Sequence, residues 1–165
     1  MNKKMITVLT ISLLSISAIG FANASSVKQE IPLEKKVKLE KNLKEFRDKV
    51  NDDIASSFNI ELSGYKQLDR AALFQDKSGE LDALKNAFME VIENQEEGDI
   101  MPNIFINEET NEGLILEKKS DGKNKIYKLE KGNSKNLSKY TNHDDWKIVD
   151  EDETEGEIIL FEEVD

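Results

Sequence analysis

The sequence predicts an α+β domain, with helices first and an antiparallel sheet after them. Two observations carry this. Apolar residues recur at spacings of three and four as far as Gly98, and at a spacing of two beyond it. The segments with period two are mostly joined by short turn-forming stretches, which suit antiparallel neighbours. A run of helices followed by a run of strands places the N-terminal helices on one face of a four- to five-stranded sheet.

Pro32 suits the first turn of a helix, where its missing N–H costs nothing. Leu33, Val37, Leu39, Leu43, Phe46, Val50, Ile54 and Phe58 then mark one long amphipathic helix. Its apolar stripe keeps coiled-coil spacing for less than two heptads, which favours packing on the protein's own sheet. Ser63-Gly64 breaks the pattern, and 68–74 reads as a short second helix. Ser78 is the expected N-cap of a third, built on Leu81, Leu84, Phe88, Val91 and Ile92 and closed at Gly98.

The alternating pairs Ile104/Ile106, Leu114/Leu116, Tyr127/Leu129 and Trp146/Ile148 each mark a strand. Asp121-Gly122 is a hairpin signal, because Asp-Gly tolerates the positive φ of tight turns. Residues 158–161 are continuously apolar and read as a further strand buried on both faces. Residues 153–156 read as the turn before it. The 131–145 connection is the one longer stretch, and it reads as a loop or a helical turn.

Residues 1–24 read as a secretory signal peptide. Lys3 and Lys4 precede an apolar run, and Ala22-Asn23-Ala24 is a small-x-small cleavage pattern. The expected mature chain is 25–165, a single domain exported to the periplasm, with no membrane insertion. The signal holds two Lys and no acid, so the mature chain carries 21 basic against 34 acidic residues, net −13. Such a charge disfavours nucleic acid and anionic lipid, and attracts basic proteins. There is no Cys in the chain, which excludes thiol nucleophiles, thiolate metal sites and disulfides.

Few motifs suggest catalysis. His143 is the sole His, followed by Asp144 and Asp145, but no sequence signal places a nucleophile beside it. Ser63/Lys66 and Ser120/Lys123 match Ser-x-x-Lys without the companion motifs of penicillin-binding proteins. The acidic run from Asp150 fails an EF-hand frame, because its sixth residue is Glu155 and its twelfth is Phe161. No catalytic residue, metal or cofactor is expected.

Charge placement carries the functional expectation. From Asp144 to the end there are eleven acids and one base. In composition the chain resembles small periplasmic proteins that neutralise basic wall-degrading enzymes or toxins. The expected function is a non-enzymatic binding protein of the inhibitor or immunity type, acting on a basic partner protein. Trp146, Asp150, Asp152, Glu153 and Glu155 are the expected contacts, the acids on a loop over 150–157. A small envelope hydrolase using carboxylates and an envelope assembly factor are the alternatives.

Overall fold

The computed structural model describes residues 32–132 and 145–161. The expected signal peptide and His143 lie outside these residues. Helices come first: α1 (Leu33–Ser57), α2 (Arg70–Gln75) and α3 (Asp82–Glu93). Strands β2 (Ile100–Asn107), β3 (Glu112–Lys118), β4 (Asn124–Gly132) and β5 (Asp145–Thr154) follow. A two-residue strand β1 (Lys66–Gln67) sits between α1 and α2. The sheet is an antiparallel meander in the order β1-β2-β3-β4-β5.

Local chemistry accounts for the boundaries. Asp69 caps α2 by accepting the Ala71 N–H at 2.9 Å. Ahead of α3 the organiser is Asp76, not the expected Ser78 cap. Its Oδ1 accepts from Ser78 N (3.0 Å) and Ser78 Oγ (2.6 Å), and its Oδ2 from Leu81 N (3.0 Å). Two carboxylate oxygens satisfy three donors, more than a serine hydroxyl can. Between β3 and β4, Gly122 takes φ 98°, the left-handed conformation expected of Asp-Gly.

The helices do not share one face of the sheet, as the sequence had suggested. Leu73 of α2 and Leu84, Ala87, Phe88 and Val91 of α3 pack with Ile104, Ile106, Ile115, Tyr127, Leu129 and Trp146. Val50 and Ile54 of α1 pack with Phe105, Leu114, Leu116, Ile126 and Ile159 on the other face. The reason lies in the central strands. Residues 102–106 of β2 and 113–118 of β3 are buried without a break, so each presents apolar surface to both sides. A sheet buried on both faces needs a layer on each. Among the described residues, only the C-terminal half of α1 is docked. Its buried residues are Val50, Asn51, Ile54 and Ala55, while Leu33 and Val37 near its start stay exposed.

Two expectations for the C-terminal region change. Residues 150–154 are not loop but the second half of β5, paired with residues 124–128. Residues 158–161 are not a strand. Ile159 is buried in the α1-side core, with Ile158 and Leu160 exposed on either side. Phe161 meets Phe46 of α1 edge-on, with centroids 5.4 Å apart.

Candidate functional site

Among the described residues β5 is an edge strand, hydrogen-bonded to β4 alone. Asp150, Glu151, Asp152 and Glu153 are exposed along it, and Glu155 follows just beyond. Basic residues of β4 and the turn before it face three of these acids. Lys128 meets Asp150 at 2.7 Å, Lys125 meets Glu151 at 3.3 Å, and Lys123 meets Glu153 at 3.0 Å. The hydrogen bond and charge of Lys128 hold the Asp150 carboxyl below its usual range, and those of Glu153 raise Lys123. Five of the six side chains are well exposed and Lys125 is partly so, and the pairs set register more than they stabilise. Among the described residues, no ion pair reaches Asp152 or Glu155.

Of the acids expected as contacts, Asp150, Asp152 and Glu153 lie along one strand and Glu155 just past its end. Trp146 does not join them as a surface anchor. Its ring is buried in the α2/α3-side core.

Among the described residues, three polar clusters reach into the sandwich around the buried Asn51, Asn103, Glu117, Lys118 and Asn124. On the α1 face, Asn51 Oδ1 accepts from Asn103 Nδ2 (2.9 Å), and Asn103 Oδ1 accepts from Gln67 Nε2 (3.1 Å). This chain ties α1, β2 and β1 together. On the α3 face, Tyr127 donates its hydroxyl to Glu117 at 2.8 Å. Lys119 bridges Glu117 (3.2 Å) and Asp99 (2.7 Å). Burial, reinforced by Glu117, pushes the Tyr127 phenol up. Burial would raise Asp99, but hydrogen bonds from Lys119 and from the backbone N–H groups of Glu96 and Ser120 outweigh it and hold the carboxyl down.

The third cluster lies between α1 and the β3–β4 hairpin. Lys118 is 1% exposed and Asn124 wholly buried. Lys118 Nζ donates to Asp53 Oδ2 (2.6 Å), Gly122 O (2.7 Å) and Asn124 Oδ1 (2.7 Å), using all three of its donors. Asn124 Nδ2 donates to the same Asp53 Oδ2 (2.8 Å) and to Ser57 Oγ (3.1 Å). Ser57 in turn donates to Ile54 O at 2.8 Å. The backbone of Gly156 closes over this group. A Cβ there would overlap Asn124 Nδ2 and stand 2.7 Å from Lys118 Nζ. Burial works to raise the Asp53 carboxyl, but its bonds to Lys118 and Asn124 and the Lys118 charge bring it below its usual range. Sequence reading missed this cluster because its members lie 65 and 71 residues apart. The one available signal was a Lys at the inward-facing end of β3.

Beside Asp53 a shallow, open groove of about 340 Å³ is lined by Lys49, Asp52, Asp53, Ser56, Glu157 and Ile159. Among the described residues no group of three or more His, Asp or Glu is arranged to hold a metal ion. The Ser-x-x-Lys matches are not assembled as helical pairs. Ser63 lies in a 3-10 turn and Lys66 in β1. Ser120 is held through its backbone N–H by Asp99 (2.8 Å), while Lys123 turns to Glu153. No helix among the described residues is long and apolar enough to cross a membrane. Comparison with protein-family models, with curated proteins and with solved structures finds no match.

Proposed function

We propose that this chain is an exported, non-enzymatic binding protein of the inhibitor or immunity type, which engages a basic partner protein along β5. The observation that carries this reading is the placement of five exposed carboxylates at the outer edge of the sheet. Three face Lys123, Lys125 and Lys128, so the patch keeps an excess of negative charge centred on Asp152 and Glu155. An edge strand also offers unpaired backbone N–H and C=O groups, which can add an extended segment of a partner. Acidic side chains around that edge repel acidic chains and favour basic ones, so charge selects the partner and speeds its approach. Export through residues 1–24 supplies the compartment in which the partner is met. No cofactor or metal enters this reading.

The test is in-cell photo-cross-linking. A photoreactive residue replaces Asp152 in one strain and Glu80, exposed ahead of α3, in another. The expected result is an adduct with a basic protein from Asp152 alone, reduced when Asp150, Glu153 and Glu155 are changed to Asn or Gln. Equal adducts from both positions would contradict the proposal. So would an unchanged adduct in the neutralised background. In that case the acids only blunt an exposed edge against self-association, as charges on edge strands commonly do. The exported protein should begin at Ser25, and a cytoplasmic protein retaining Met1 would remove the export step.

A further inference from the structure

We propose that Lys118 and Asn124 become joined by an amide bond between their side chains, with Asp53 as the base. The geometry brings together the three groups that such a reaction needs. Lys118 and Asn124 face one another across the β3–β4 hairpin, as partners in its register. The amine nitrogen lies 2.7 Å from the Asn124 carbonyl oxygen, one C=O bond from the carbon it would attack. A single oxygen, Asp53 Oδ2, contacts both the nucleophile (2.6 Å) and the leaving nitrogen (2.8 Å). One carboxylate can thus take a proton from the first and deliver it to the second without moving.

The surroundings favour the reaction. Ser57 Oγ accepts from Asn124 Nδ2, which fixes the amide with its oxygen toward Lys118. Gly122 O holds the amine from the other side. The Gly156 backbone lies against both reacting nitrogens, and neither Lys118 nor Asn124 is open to water. Reactants held this way gain the advantage of an intramolecular reaction. The product also removes a buried ammonium, which is costly to keep out of water.

The atoms balance as follows. The Lys118 ammonium passes one proton to the Asp53 carboxylate. The freed Nζ pair forms a bond to Asn124 Cγ, and Nζ then gives up a second proton. The Cγ–Nδ2 bond breaks and its pair leaves with the nitrogen. Both protons end on that nitrogen, which departs as ammonium and carries the positive charge away. Nζ keeps one hydrogen as an amide N–H, and Asp53 is restored as a carboxylate. No oxidant, reductant or other co-reactant is required.

The test is mass spectrometry on the purified, denatured wild-type chain. The expected result is an intact mass lower than the unlinked chain by one ammonia, about 17 Da. After trypsin, a branched peptide should join Lys118 to Asn124, with no cleavage after Lys118. Asp53→Asn, which keeps the shape of the side chain, should restore the unlinked mass, as should Lys118→Arg. Either a full-mass wild type or a peptide ending at a free Lys118 would overturn the proposal. So would the same mass loss with cleavage after Lys118 intact, which marks a succinimide at Asn124. The wild-type map decides the question even if a variant does not fold.

Discussion

Replacing Ile54 with Ala tests whether α1 is a second layer of the sandwich. Ile54 is fully buried on the α1 face, among the cluster that includes Phe105, Leu114, Leu116, Ile126 and Ile159. The change removes three methyl or methylene groups, worth about 0.8 kcal/mol each in transfer from water. Packed strands cannot fully collapse into the gap, so a cavity cost adds to this and the total falls within about 2–5 kcal/mol. In a domain of this size a loss near 3 kcal/mol lowers Tm by roughly 10 °C. The matched control is Val37→Ala. Val37 is on the same helix but 57% exposed, and its replacement should stay within about 0.5 kcal/mol. Urea unfolding followed by circular dichroism measures both. A near-neutral Ile54→Ala would mean that α1 is not docked on the sheet. A Val37→Ala as costly as Ile54→Ala would mean that the first turns of α1 are buried too.

Two further outcomes are expected. Asp99→Asn should flatten the dependence of stability on pH below about 4. The folded-state pKa of Asp99 is depressed, so its contribution is present above the unfolded value and is lost as pH falls through the folded value. Acid titration of unfolding in both proteins checks this, and parallel curves would refute it. Gly156→Ala should destabilise by about 1–3 kcal/mol, the usual cost of overpacking, because the new methyl meets Asn124 and Lys118. Thermal unfolding reads this, and an unchanged midpoint would show that 155–161 does not seal the cluster.

Periodicity made most of the fold legible. The spacing of Leu84, Phe88 and Val91 marked α3, and the pairs from Ile104 to Ile148 marked four strands, as the structure has them. The faces were harder to read. Unbroken burial in β3 depends on α1 returning to cover Leu114 and Leu116, a long-range fact that a local window does not contain. β1 is too short to have a period. The acidic half of β5 has no apolar alternation at all, since its pairing is set by lysines facing it from β4 and the preceding turn. An acid-rich stretch therefore read as loop. Residues 158–161 misled in the opposite direction, because one buried Ile and a Phe against α1 resemble a strand in composition. Trp146 could be read either as an anchor or as core, and its position beside Ile148 on the α3-side face decides for core.

The acids of the candidate surface were legible as a cluster, but their alignment along an edge was not. Their role is tested most directly by association kinetics with the basic protein captured at Asp152. Rates should be measured for the wild type and for a chain with Asp150, Asp152, Glu153 and Glu155 changed to Asn or Gln. Two salt concentrations should be compared, one well below and one near 0.15 M, where the screening length is about 8 Å. Docking through β5 predicts that the wild-type on-rate falls as salt rises. It also predicts that neutralisation lowers the low-salt on-rate and flattens its salt dependence, with unfolding unchanged. Equal on-rates for the two proteins at both salts would contradict it.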